Sequence, residues 1–165
     1  MGVIATLLPE ERCLLRVLQA VSGQHTVVPC RTWDEVFTAC EDEAVHLAAI
    51  DEADTLLGFA SMGSFRAFPA YKYTAEHSVY VHKAYRGQGV GSQLLTRLIN
   101  EAVSQQYHTM VGGIDASNTG SIAFHERLGF VHCGTIREAG FKFGRWLDLA
   151  FYQRILPTPT SPVDG

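Results

Sequence analysis

The chain has 165 residues, 47% of them apolar and 18% charged, with a formal net charge of -4 at pH 7. These values suit one domain with a buried core, and they exclude a disordered chain and a basic nucleic-acid binder. No apolar run approaches the roughly 18 residues that span a bilayer, so no membrane partner is expected.

Glu10, Glu11 and Arg12 interrupt the N-terminal segment before a signal-peptide core can form, and a cytoplasmic location is expected. Met1 through Thr6 fit the N-myristoylation pattern, a match short enough to arise by chance. Cys13, Cys30, Cys40 and Cys133 show neither CxxC pairing nor metal-ligand spacing. Buried, reduced thiols and no metal are the expectation. The sequence holds no internal repeat. Its composition shifts only where Pro157, Pro159 and Pro162 arrive, so residues 1–156 read as a single domain and 157–165 as a flexible tail.

In chain order, residues 3–8 suit a strand and Pro9 opens a helix, with Glu10 and Glu11 near its positive end. Leu14, Leu15, Leu18 and Val21 continue it as an apolar stripe, and a second helix is expected around residues 33–41. Residues 46–50 and 56–62 are short apolar runs flanking an acidic turn, which predicts a hairpin. Residues 76–82 form a strand rich in Val and Tyr. A glycine-rich turn follows, then a helix over 92–105 with Leu94, Leu95, Leu98, Ile99 and Ala102 on one face. Residues 110–114 form a strand, Asn118 caps a helix running to Leu128, and Gly129 stops it. Strands over 131–135 and 147–155 close the order. Adjacent strands mixed with strand–helix–strand crossovers indicate a mixed α/β fold, a mostly antiparallel twisted sheet with helices on both faces.

The glycine turn carries the chemistry. Arg86, Gly87, Gln88, Gly89, Val90, Gly91 and Ser92 lie between a strand and an amphipathic helix. Alternate glycines let the backbone curl with its N–H groups inward, and the helix start adds partial positive charge, a cradle for a pyrophosphate. The spacing is not that of a dinucleotide-binding turn, and a Walker A loop would need a Gly-Lys-Ser/Thr that is absent.

This arrangement resembles the R/Q-x-x-G-x-G/A element of the GCN5-related N-acetyltransferases, which holds the pyrophosphate of acetyl-CoA. Asn118 and the run ending Leu128-Gly129-Phe130 match the family layout, which implies that Asn118 bonds the pantetheine arm. Residues 64–68, 73–81 and 140–148 are similar to the phosphinothricin and methionine-sulfoximine N-acetyltransferase subfamily, and the similarity runs from about Leu57 to Ile155. The resemblance implies acetyl-CoA as co-substrate, a small-molecule amine with a free α-amino group as acceptor, and a homodimer.

It also implies roles. Glu76 matches the carboxylate assigned as general base, which would deprotonate the acceptor ammonium directly or through water. Backbone N–H groups of Val79, Tyr80 and Val81 would steady the developing oxyanion. His125 stands where many members carry Tyr, as an acid or hydrogen-bond donor to the leaving thiolate. Arg66, Ala67 and Phe68 match the acceptor pocket, Arg66 suiting an α-carboxylate, with His77 and Ser78 beside Glu76. Lys142 and Trp146 would line the same pocket.

The N-terminal third departs from this pattern. Relatives carry a Tyr-Asn pair in the first helix, and residues 17–26 here lack it, in a region that is also shortened. The acceptor is therefore left open: a protein N-terminus or a polyamine is the alternative, and a non-catalytic acetyl-CoA-binding module is another.

Overall fold

A computed structural model describes residues 15–21, 24–30, 45–51 and 55–164 of the chain. The first described elements are strands β1 (Leu15–Val21) and β2 (Gln24–Cys30), paired antiparallel from Leu15↔Cys30 to Val21↔Gln24. The stripe Leu15, Leu18, Val21 thus belongs to a strand, which corrects the helix expected there. An apolar run this short satisfies either period, and a partner rich in Thr and Val, two residues away, favours the extended form. The expected strand over 3–8, the helix start at Pro9 and the helix around 33–41 lie outside the described residues.

The remaining strands are β3 (Val45–Ile50), β4 (Leu56–Ser64), β5 (Thr74–Val81), β6 (Thr109–Asp115), β7 (Val131–Lys142) and β8 (Arg145–Ile155). They form one six-stranded sheet in the order β3-β4-β5-β6-β8-β7. The sheet is mixed: β3–β4, β6–β8 and β7–β8 are antiparallel, and β5–β6 is parallel. A parallel pair needs a crossover, and helix α1 (Val90–Ser104) supplies it. Helix α2 (Thr119–Arg127) follows β6.

The chain divides into two compact units, residues 1–63 with 79–98 and residues 64–78 with 99–165. In the first, the carboxylate of Asp51 accepts from the Thr55 N–H at 2.8 Å, holding the turn of the β3–β4 hairpin. Leu94, Leu95 and Leu98 are fully buried, as the α1 stripe predicted, and Leu57, Ala60 and Met62 of β4 are buried too. Gly58 sits where a Cβ would lie 2.6 Å from the Tyr80 carbonyl oxygen, so β4 and β5 approach at a position only glycine permits.

In the second unit, Ala75, Met110, Val111, Ile114, Phe130 and Tyr152 are buried. Asn118 caps α2 by accepting the Ser121 N–H at 3.0 Å. Gly129, at φ +80°, ends the helix while the Phe130 N–H returns to the His125 carbonyl. β7 lies at the sheet edge, mostly exposed, with register shifts at His132/Gly134 and Ile136/Gly140. Cys133 on this strand is exposed and free, which corrects the buried thiol expected of it. An edge strand has only one covered side to offer.

Residues 157–164 lack regular structure, as three prolines require, and they make hydrogen bonds to residues 72, 107 and 108. Thr158 donates to the Tyr107 carbonyl at 2.6 Å, His108 Nδ1 donates to the Thr158 carbonyl at 2.7 Å, and Lys72 Nζ donates to the Asp164 carbonyl at 2.7 Å. Proline removes donors and leaves every carbonyl available as an acceptor.

Phe130→Ala should lower stability by about 3–5 kcal/mol, because it empties a fully buried site. Val131→Ala, at an exposed neighbour, should stay within about 0.5 kcal/mol. Urea denaturation of the two variants against the parent measures the contrast.

Candidate active site

The glycine turn lies in the first unit. β5 ends at Val81, a 3-10 turn covers Lys83–Tyr85, and α1 begins at Val90. The His82 N–H donates to the Leu57 carbonyl at 2.9 Å, anchoring the strand end. Gly87 and Gly89 have φ of +75° and +84°. A Cβ on Gly87 would meet nothing within 4 Å, so the sign of φ, and not crowding, calls for glycine there.

The first hydrogen bond of α1 runs from the Gln93 N–H to the Gly89 carbonyl at 3.0 Å. The N–H groups before it, including those of Val90, Gly91 and Ser92, have no partner among the described residues and lie at the positive end of a 15-residue helix. Arg86 and Gln88 are tied back into the turn: Arg86 Nε donates to the Val81 carbonyl at 3.3 Å and the Gln88 amide to the Ala84 carbonyl at 3.1 Å. Residues 86–89 are exposed. Backbone donors, side-chain-free glycines and a cation fit a pyrophosphate.

Strand β5 carries the second set. Its parallel ladder with β6 has four rungs, Thr74↔Thr109 to His77↔Gly112, and there it stops, although β5 continues to Val81 and β6 to Asp115. Beyond that rung the β6-side backbone groups of β5 lose their ladder partners. Side chains alternate along the strand: Ala75 and His77 are buried, Glu76 is half-buried and Ser78 exposed. Among the described residues Glu76 makes no hydrogen bond or ion pair. Its carboxylate lies 3.8 Å from where a Cβ of Gly113 would stand. Val79 and Val81 are half-buried, and the Tyr80 ring stacks on Phe59 with centroids 4.9 Å apart.

His77 turns its side chain into the interior. Its ring is buried, with Nδ1 2.8 Å from the Val111 carbonyl and Nε2 3.1 Å from Nε2 of His125. His125, also buried, has Nδ1 2.8 Å from the Ser121 carbonyl, and Phe130 packs on both rings. Both nitrogens of His125 thus have partners among the described residues. Burial pushes His77 down to about 4, the charge of His125 adds to this, and its bond to Val111 opposes it. His125 is lowered by burial, against its bond to Ser121.

The other expected residues are exposed. Arg66, Ala67 and Phe68 lie in a loop closed by the Phe65 N–H donating to the Thr74 carbonyl at 3.1 Å. Arg66 folds over the Phe65 ring at 4.3 Å and donates to the Phe65 carbonyl. Phe68 meets the Tyr71 ring edge-on. Trp146 packs edge-on against Phe141, and Lys142 lies over the Phe143 ring. The side-chain oxygen of Asn118 is taken by its helix cap, and its NH2 remains available.

Sequence reasoning missed Gly112. A Cβ there would stand 2.6 Å from Cε1 of His77, so this glycine makes room for the ring. Two glycines inside a strand are the signal that marks such a close approach. It also missed Asp115, whose carboxyl is held below its usual range by the Ser117 N–H and hydroxyl and by Arg145 at 3.1 Å.

Residues 14–130 match the family described as Acetyltransferase (GNAT) family. The chain is 46% identical over 112 residues to the L-methionine sulfoximine/L-methionine sulfone acetyltransferase of Salmonella typhimurium, covering 68% of this chain and 66% of that protein. It is 39% identical over 112 residues to the phosphinothricin N-acetyltransferase of Streptomyces coelicolor, with 68% and 66% covered. A GNAT superfamily phosphinothricin acetyltransferase from Sinorhizobium meliloti, solved with acetyl-CoA, aligns with a TM-score of 0.70 at 34% identity, over 79% of this chain and 70% of that one. The chain spans about two thirds of the length of the curated relatives it matches. It belongs to the GCN5-related N-acetyltransferase family, and its mixed sheet is the fold of that family.

A native pKa for His77 near 4, below the 6.5 of an exposed imidazole, means that the unfolded chain binds the proton more tightly. Stability contributed by the neutral ring is complete above pH 6.5 and lost as pH falls toward 4, by about 1.4 kcal/mol per unit. Denaturation midpoints between pH 7 and 4 should decline less steeply in His77→Gln than in the parent.

Proposed function

We propose that this chain is an N-acetyltransferase that moves the acetyl group of acetyl-CoA to the free α-amine of a small amino acid or analogue, of the phosphinothricin or methionine sulfoximine/sulfone type. One observation carries the reading: β5 bears Glu76, whose carboxylate has no partner among the described residues, and runs without a break toward the glycine turn.

In this reading the N–H groups of residues 87–92 and Arg86 hold the pyrophosphate of acetyl-CoA, and the NH2 of Asn118 holds the pantetheine arm. Acetyl-CoA supplies the activated acyl group. Backbone N–H groups of Val79, Tyr80 and Val81, beyond the last β5–β6 rung, steady negative charge on the carbonyl oxygen. Glu76 takes the proton from the acceptor ammonium, because only the free amine attacks a thioester. Arg66 swings from Phe65 to pair with the acceptor carboxylate, and Phe68 walls the side chain. With both ring nitrogens engaged, His125 is assigned no direct contact with the leaving sulfur.

The exposed rings of Phe141, Phe143 and Trp146 on the β7–β8 hairpin support a homodimer. The relatives' named acceptors support the small amino-acid analogue over a polyamine or a protein N-terminus.

A thiol-release assay with acetyl-CoA and a panel of methionine sulfoximine, methionine sulfone, phosphinothricin, spermidine and an N-terminal peptide should show turnover on the first three. Tight acetyl-CoA binding with no turnover on any amine would sink the enzyme reading. Glu76→Gln should bind acetyl-CoA as the parent does and lose about 10²–10⁴ in kcat at neutral pH. Parental activity in that variant removes Glu76 from the mechanism.

A further inference from the structure

His77 and His125 stand out as buried titratable groups to which the proposed reaction gives no work. A backbone carbonyl only accepts, so Nδ1 of His77 on Val111 and Nδ1 of His125 on Ser121 must each carry a hydrogen. That fixes both tautomers. In the neutral rings both Nε2 atoms are then bare lone pairs, facing each other at 3.1 Å. One added proton turns this contact into an N–H···N hydrogen bond. A second would set two N–H groups against each other.

From the acetyl-transfer reading and this geometry, we propose that His77 and His125 share a single proton between their Nε2 atoms, and that the shared proton clamps β5 at the last rung of its ladder with β6. His77 is thereby a positioning residue for Glu76, its neighbour on the strand.

The surroundings suit such a pair. From β6 it meets the Val111 carbonyl and the open side of Gly112; from α2 the Ser121 carbonyl and the Phe124 ring; and after α2 the Phe130 ring. Among the described residues the one charged group acting on His77 is His125, so no carboxylate sets the charge of the pair. Burial lowers the proton affinity of both rings, and the charge of His125 lowers that of His77 further, so the pair takes up its one proton below the ordinary imidazole range and resists a second. The His77↔Gly112 rung closes the ladder, so releasing His77 frees the strand at the residue beside Glu76.

The experiment has two arms. In the first, imidazole 15N resonances of the wild-type chain are followed from pH 4 to 9. Both rings should show protonated Nδ1, a through-bond coupling between the two Nε2 atoms, and two well-separated steps common to both. Independent single titrations, or an Nε2–H tautomer of either neutral ring, would overturn the proposal whether or not the protein is an enzyme. In the second arm, kcat and KM are measured across the same pH range. His77→Ala should lose at least tenfold in kcat with KM for acetyl-CoA unchanged within twofold. His77→Gln, whose amide N–H reaches His125 Nε2 without an added proton, should recover most of kcat and flatten the pH dependence due to the pair. Gly112→Ala, which keeps both imidazoles but displaces the His77 ring, should resemble His77→Ala. A His77→Ala variant with parental kcat and pH profile would refute the clamp. A wild type that turns over no amine would refute acetyl transfer and so the positioning role, and the first arm would still judge the pair.

Discussion

The four-rung ladder between β5 and β6 is the constraint from which the rest of the site follows. Parallel strands meet here through a crossover helix, and their pairing ends at His77↔Gly112 while both chains run on. Inside the ladder the strand is fixed, and Glu76 sits in that fixed part. Past it, the backbone of Ser78–Val81 has donors to spare on one side. One strand therefore carries Glu76 inside the ladder and Ser78–Val81 beyond it, about 3.3 Å apart per step.

What ends the ladder is steric and polar at once. Gly112 has no side chain because His77 occupies that space, and the ring reaches the carbonyl of Val111 and the ring of His125. A buried imidazole is costly unless its nitrogens are satisfied. The neutral rings satisfy two carbonyls with two hydrogens and leave their Nε2 atoms facing each other. Phe130, delivered by the turn at Gly129, seals the pair from water. The end of α2 and the end of the ladder are thus one packed feature of the second unit.

The glycine turn in the first unit was legible in advance because it works through the backbone. Positive φ at Gly87 and Gly89 and free N–H groups at a helix start are local properties, written in residue type and spacing. The same holds for the buried stripe of α1, the acidic β3–β4 turn and the Asn118 cap. Arg66 and Phe68 are a different case. Their loop was recognisable, but their side chains rest on Phe65 and Tyr71, contacts that residue type and spacing do not specify.

By itself the sequence determined the family, the mixed sheet, the glycine turn and the strand that bears Glu76, since each depends on periodicity, glycine spacing or long contiguous motifs. Tertiary structure alone decided that residues 15–21 are a strand, that the proline-rich end is held by hydrogen bonds, and that His77 and His125, 48 positions apart, meet ring to ring. The physical reason is common to all three. An apolar run, a carbonyl or an imidazole has no fixed partner until distant chain arrives, and the partner then sets its conformation, its tautomer and its charge.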